Sequence, residues 1–176
     1  HLSPSSLEGG GDRTIVVTGW SKSFAMTGWR IGVVWGPNEV MQAMGKLQAN
    51  ACSHIPSFLM DAALVALEPK INEDVDQFKE AYLQRRKILM DGIEAIDGLS
   101  MPEPEGAFYG FVDISGTGMD SNTFATRALK EAKVQLIPGG LIDGGEGFVR
   151  ISYACDEEAL NEGLKRIGDW LNSKSK

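Results

Sequence analysis

The sequence predicts an α/β protein in which a strand-containing first part is joined by one long helix to a compact α+β unit. Three observations carry that expectation. The β-branched runs "TIVVT" (14–18) and "RIGVVW" (30–35) suit short strands. Between 71 and 97, Ile71, Val75, Phe78, Tyr82, Leu89, Ile93 and Ile96 recur at steps of three, four or seven, which lines one face of a helix. After Gly98 the apolar runs become short and are separated by turn residues.

Taken in order, "TIVVT" is expected to be buried on both faces, as continuous β-branched runs usually are, and "RIGVVW" reads the same way. Pro37 opens a helix over 38–50, because its fixed φ suits the first turn. A second helix covers 56–68 and stops before Pro69; its run "IPSFLMDAALVAL" reads as buried. In the long helix, "RRK" (85–87) reads as the solvated face. "GAFYGFVDIS" (106–115) is a strand, and 121–132 a helix capped by Ser121 or Asp120. "VQLIPGG" and "GFVRISYA" are two further strands. The last helix starts at Asp156, with Glu157 and Glu158 complementing its dipole and Leu160, Leu164, Ile167 and Leu171 as its buried stripe. The glycine run 9–11 and the "SKSK" tail are the low-complexity stretches.

At 176 residues, 43% hydrophobic and 23% charged, the chain has the composition of an ordinary globular protein with a sizeable core. A net charge of -7 argues against nucleic acid or an anionic membrane as partner. No apolar run approaches the roughly 20 residues that span a bilayer, and no signal-peptide pattern opens the chain. Cys52 and Cys155 lie in no ligand-like spacing and read as buried thiols of a cytoplasmic protein. The opening "HLSPSSLEGGGDRT" lacks an initiator Met and reads as an interior loop.

Chemistry concentrates in "GWSKSFAMTGWRIG" (19–32). From Gly19 to Val34 the only charged residues are Lys22 and Arg30, set among Trp20, Phe24 and Trp29. Burial and a neighbouring cation both disfavour an ammonium, and the neutral amine attacks carbonyls. The plainer alternative is a lysine reaching solvent from an apolar loop while Arg30 makes a structural ion pair. For Arg150, in "GFVRISYA", the alternatives are an anion-binding guanidinium or an ion pair with Asp113 or Glu146.

The stretch "SKSFAMTGWRIG" resembles the lysine signature of the class I/II aminotransferases, the fold-type I pyridoxal phosphate-dependent enzymes. It has a serine–lysine pair, an aromatic two residues on, Met-Thr-Gly, an arginine eight after the lysine and a glycine two later. The likeness runs along the chain. "HLSPSSLEGGGDRTIVV" is similar to the family's approach to the lysine, "PEGAFYGFVDIS" to its Gly-Ala-Phe-Tyr strand, and "GFVRISYA" to its substrate-arginine strand.

This resemblance implies that residues 1–70 end the large pyridoxal phosphate-binding domain. It makes 71–97 the interdomain helix and 98–176 the small C-terminal α+β domain. Lys22 would condense with the aldehyde of pyridoxal 5'-phosphate and later shuttle a proton at the substrate α-carbon. Arg30 would bind the cofactor phosphate, and Arg150 the substrate α-carboxylate. Phe108 either lines the substrate pocket or packs in the core. Where many relatives carry a phosphate-binding serine three residues before the lysine, this chain has Gly19; the hydroxyl would come from Ser21 or Thr18, or the donor from elsewhere. His54 has no counterpart and reads as a loop or interface residue, and 50–58 would lie near the second subunit of a homodimer.

The matched family subunit is roughly twice as long. The aspartate that protonates the pyridine nitrogen, the residues contacting the cofactor's 3-oxygen and the N-terminal phosphate loop have no match here. The expectation is therefore an excerpt of an aminotransferase acting on an amino acid and a 2-oxo acid, inactive by itself. A β-lyase or synthase of the same fold and a non-catalytic ligand-sensing module are the alternatives. Neither nucleic acid nor membrane is expected as a partner.

Overall fold

The computed structural model describes residues 2–173. His1, with which the reading of an interior start begins, and residues 174–176 of the "SKSK" tail lie outside the described residues. The chain divides between Asp76 and Gln77 into two compact units.

In the first unit, β1 (Val16–Gly19) and β2 (Gly32–Trp35) pair antiparallel, Val16 opposite Trp35 and Gly19 opposite Gly32. The expected burial of "TIVVT" and "RIGVVW" on both faces is corrected: Val17 of the first run is 72% exposed and Trp35 of the second is 49% exposed. A strand is hidden on both faces only inside a wider, covered sheet, and this one has two strands. Helix α1 (Asn38–Ala51) opens behind Pro37 as expected. Helix α2 (Ser57–Val65) ends earlier than expected, and its apolar surface is largely uncovered, with only Ala63 buried and Phe58 and Leu64 exposed. "IPSFLMDAALVAL" is apolar around the whole helix, so one contact face leaves the rest bare. The small core consists of Trp20, Ile31 and Ala63, joined by Phe24, Met26, Leu59 and Ala66.

Helix α3 (Asn72–Glu94) crosses the division between the units. Beyond Gln77 its Leu89 and Ile93 are sealed in the core, and Ile96, past the helix end, remains buried. Phe78, expected on the buried stripe, is exposed. "RRK" is solvated only at Lys87, which pairs with Asp91. Arg86 donates from Nε to Pro104 O at 2.6 Å and pairs with Glu103, while the Arg85 guanidinium lies 5.4 Å from the Tyr82 ring centre. The long arginine stems cover apolar surface that a shorter residue would expose.

The sheet of the second unit is antiparallel in the order β3 (Tyr109–Asp113), β5 (Phe148–Ser152), β4 (Ile137–Pro138). Strand β3 is shorter than the expected 106–115. Gly110 faces α3 so closely that an added Cβ would lie 2.7 Å from Leu89 Cδ2. Helix α4 (Ser121–Arg127) continues as a π-helical turn over Ala128–Ala132 and stops at Lys133, whose φ is 60°. Asp120 caps it, accepting from Thr123 N–H at 2.8 Å. Helix α5 (Glu157–Asn172) is capped by Asp156 as expected. Its stripe includes Trp170, absent from the expectation, whose indole N–H donates to Glu131 at 2.8 Å. Leu171 is half-buried.

Cys52 and Cys155 are free thiols. The expected burial fails at Cys52, which ends α1 in the exposed loop at its C-terminus. Burial pushes the Cys155 thiol pKa up from its ordinary value. Among the described residues no helix is long and apolar enough to cross a membrane, and no cluster of metal-ligating side chains occurs.

Candidate active site

In the first unit, Lys22 lies in a turn between β1 and β2. Ala25 N–H donates to Lys22 O at 3.2 Å, Met26 N–H to Trp20 O at 3.4 Å, and Trp20 N–H to Ile31 O at 3.4 Å. The loop is pinned from below by a buried bond of 3.1 Å from the Trp20 indole N–H to Ala63 O. Two non-glycine residues, Ala25 (φ 53°) and Arg30 (φ 55°), are left-handed. Each such residue costs of order 1–3 kcal/mol, and such strain persists only where neighbours over-determine the backbone.

Lys22 and Arg30 are exposed, and Ser21 is half-buried. The expected shielding of Lys22 by aromatic rings is corrected: Trp20 and Phe24 turn into the small core, and Trp29 is largely exposed. Arg30 donates from Nη1 to Thr27 O at 3.1 Å and meets no carboxylate among the described residues, so the structural ion pair weighed for it does not form. The structure also explains Gly19. A Cβ there would lie 2.9 Å from Ile31 O, so a serine cannot enter without moving the β1–β2 pairing. Ser21 and Thr18 are the neighbouring hydroxyls. His54 is exposed, its Nδ1 lying 2.9 Å from Ile55 O.

In the second unit, Arg150 occupies the middle strand opposite Phe111 and Ile137. Its guanidinium carbon lies 4.3 Å from the Tyr109 ring centre. Neither expected carboxylate partner engages it. Asp113 accepts from Ser115 N–H at 2.8 Å, a bond that holds its pKa below the ordinary carboxylate value. Glu146 accepts from the Ser121 N–H and from the Ser121 hydroxyl, both at 2.8 Å. These bonds lower its pKa, the backbone N–H contributing most.

Phe108 is half-buried, packing on Tyr109 at 4.3 Å and Tyr82 at 6.0 Å between ring centres and joining the edge of the core. Its carbonyl accepts from Tyr153 N–H at 3.0 Å, and the Tyr153 hydroxyl donates to Ala107 O at 3.0 Å. Ala107 is left-handed, φ 61°. Arg86, bonded to Pro104 O, holds the same connection from the α3 side.

The sites named from the sequence thus form two groups. Lys22, Ser21 and Arg30 share one pinned loop, whereas Arg150 lies on β5 and Phe108 immediately precedes the neighbouring β3. The sequence reading missed Tyr109, the stack of Phe111 on Phe148 and the Ser121–Glu146 pairing. The alternation of Tyr109, Phe111 and Asp113 was visible in "FYGFVDIS", but its partners depend on strand register.

The donor set of the first group fits a phosphate-bearing aldehyde. It comprises the Lys22 amine, the Arg30 guanidinium and the Ser21 hydroxyl, with no acidic residue from Arg13 to Asn38. The guanidinium fork suits a phosphate, and the amine suits the aldehyde.

Residues 3–167 match the family model described as aminotransferase class I and II. An aspartate aminotransferase of Pyrococcus horikoshii is 42% identical over 158 residues, covering 89% of this chain and 40% of that protein. The crystal structure of an aromatic aminotransferase from Pyrococcus horikoshii OT3 superposes with a TM-score of 0.94 at 38% identity, covering 99% of this chain and 47% of that one. An aspartate aminotransferase from Thermus thermophilus with maleate gives a TM-score of 0.88 at 37% identity, covering 96% and 44%. The chain spans less than half the length of these relatives. With the family model matched over most of its residues, this chain belongs to the class I and II aminotransferase family.

Proposed function

We propose that this chain is the C-terminal part of a pyridoxal 5'-phosphate-dependent aminotransferase that moves an amino group from an amino acid to a 2-oxo acid. In this reading residues 1–70 complete the large domain, 71–97 connect, and 98–176 form the small domain of a cytoplasmic homodimer. The observation that carries it is the pinned loop on which Lys22 and Arg30 stand eight residues apart with no carboxylate between them.

When bound, pyridoxal phosphate supplies the electron sink that stabilises negative charge at the substrate α-carbon. Arg30 would hold the phosphate, with Ser21 as a hydroxyl donor. Lys22 would be the residue that holds the aldehyde, and its amine would carry a proton to and from the substrate α-carbon. Arg150 grips the α-carboxylate with both arms of its fork, which orients the bonds of that carbon, and Phe108 lines the pocket beside it. The 176 residues alone do not turn over, because no residue here matches the acid that charges the pyridine nitrogen.

The test is borohydride reduction of the longer protein loaded with pyridoxal phosphate, followed by peptide mapping. The label is expected at Lys22 and absent in Lys22→Ala, and the loaded protein is expected to convert 2-oxoglutarate to glutamate. Label spread evenly over surface lysines sinks the reading. Turnover by the 176-residue chain free of longer protein sinks the statement on inactivity.

A further inference from the structure

We propose that Tyr109 is a positioning residue for Arg150, and that the Phe111–Phe148 stack keeps this guanidinium apart from Asp113, leaving it flat and un-neutralised for an incoming carboxylate. The proposal rests on the reading of Arg150 as the carboxylate-binding residue and names what prepares it.

The argument is one of register. Side chains alternate across a strand, so Val112 on β3 and Val149 and Ile151 on β5 fill the core. Tyr109, Phe111 and Asp113 then share the opposite face with Phe148, Arg150 and Ser152. The pairing sets three rows across β3 and β5: Tyr109 with Ser152, Phe111 with Arg150, and Asp113 with Phe148. Diagonal neighbours on such a face lie within reach of aromatic and long side chains.

In the block formed by the second and third rows, one diagonal joins Arg150 to Asp113 and the other joins Phe111 to Phe148. The aromatic diagonal is occupied: the rings stack at 4.8 Å between centres with planes 2° apart. Two stacked rings fill the space that an arginine would cross to reach the aspartate. Asp113 turns instead to Ser115 N–H, 2.8 Å away. Arg150 takes the diagonal of the neighbouring block and lies over Tyr109 at 4.3 Å. An aromatic face attracts a guanidinium without consuming its N–H donors, which a carboxylate partner would do. The ring therefore holds the guanidinium in place and leaves its donors for a ligand.

The test follows the Arg150 Nε–H signal by NMR in the 15N-labelled chain while maleate is added, with the cross-strand contacts between β3 and β5 confirming the fold of each variant. The unchanged chain is expected to show a saturable shift at Arg150. Tyr109→Phe, which keeps the ring, is expected to bind within about twofold of it, and Tyr109→Leu to weaken binding about two- to fivefold. Phe111→Ala is expected to weaken binding by a similar factor because Asp113 then competes, and Phe111→Ala with Asp113→Asn to restore it. A role limited to packing would not be rescued by removing a charge.

No saturable shift at Arg150 in the unchanged chain overturns both this proposal and the placing of the carboxylate there. A saturable shift that folded Tyr109→Leu leaves untouched overturns the positioning role alone. If Tyr109→Leu loses the β3–β5 contacts, the Phe111/Asp113 pair decides: failure of Asp113→Asn to restore binding overturns the proposal.

Discussion

Ser121 and Glu146, 25 residues apart in sequence, are joined twice: the serine's N–H and its hydroxyl each donate to one oxygen of the same carboxylate at 2.8 Å. The Ser121 oxygen also accepts from Gly140 N–H at 3.0 Å. One fully buried serine thereby ties the first turn of α4 to both ends of the glycine-rich 139–147 connection, three residues ahead of the strand position of Arg150.

Removing that hydroxyl leaves Gly140 N–H without its partner and the carboxylate with one donor fewer. Ser121→Ala is therefore expected to destabilise the second unit by about 1–3 kcal/mol, read from urea unfolding. Since Gly140 and Glu146 lose a common partner, Glu146→Gln should cost less in the Ser121→Ala background than alone. Strict additivity of the two changes would contradict a shared network.

The same pair sets a pH dependence. Glu146 has its pKa lowered in the folded protein from an ordinary value of 4.5, by the Ser121 N–H first and its hydroxyl second. The contribution is complete above 4.5 and is lost as pH falls from there through the lowered folded value. Thermal melts between pH 6 and 3 are expected to decline less steeply for Glu146→Gln than for the unchanged chain. Parallel curves would show that other carboxylates govern the acid limb.

Tyr153 behaves in the opposite sense. Its ring is 1% exposed, and desolvation raises the pKa of its hydroxyl above the ordinary 10.0. Stability linked to this group is complete below pH 10 and is lost as pH rises through the raised folded value. Ultraviolet titration at phenolate wavelengths is expected to show a late ionisation that Tyr153→Phe removes. A titration curve unchanged by Tyr153→Phe in its late part would contradict a buried hydroxyl.

How much of this was legible beforehand follows from how far each signal reaches. Helices α1, α3 and α5 were readable because capping and periodicity are local: Pro37, the Leu89–Ile93 spacing and Asp156 each act within a few residues. Lys22, Arg30 and Arg150 stood out by motif spacing, and their roles stand as proposals. Burial was misread at Val17, Phe58, Phe78 and Cys52, because an apolar residue is hidden only when something packs on it. Strand register was not readable either, so Asp113 or Glu146 stood as an ion-pair alternative for Arg150. The structure gives them to Ser115 and Ser121.

The exposed apolar residues of the first unit have a consequence in solution. Val17, Leu47, Phe58 and Leu64 are each at least 66% exposed. Apolar surface left open in this way favours association when it is contiguous. The isolated 176-residue chain is expected to bind a hydrophobic dye and to elute from size exclusion above its 19.1 kDa mass as concentration rises. Phe58→Ser with Leu64→Ser should reduce both effects without changing helix content. Monomeric elution with no dye binding at high concentration would contradict the exposure of this surface.

The anchor beneath the Lys22 loop is Trp20. Its indole donates to Ala63 O across 43 residues of sequence, and its ring is one of the three buried members of the small core. Trp20→Phe keeps a ring and deletes the donor, so Ala63 O on α2 loses its buried partner. The loss is expected to be about 1–3 kcal/mol, felt locally in the first unit. A loop bearing two left-handed residues relaxes when its anchor weakens, because the surrounding contacts alone sustain that conformation. Amide exchange at Ala25 and Met26, whose N–H groups donate within the loop, should quicken in Trp20→Phe while Leu89 and Ile93 on α3 keep their protection. Uniform quickening of exchange would place Trp20 in global stability. Unchanged exchange at Ala25 and Met26 would show that β1–β2 pairing, from Val16–Trp35 to Gly19–Gly32, holds the lysine turn without it.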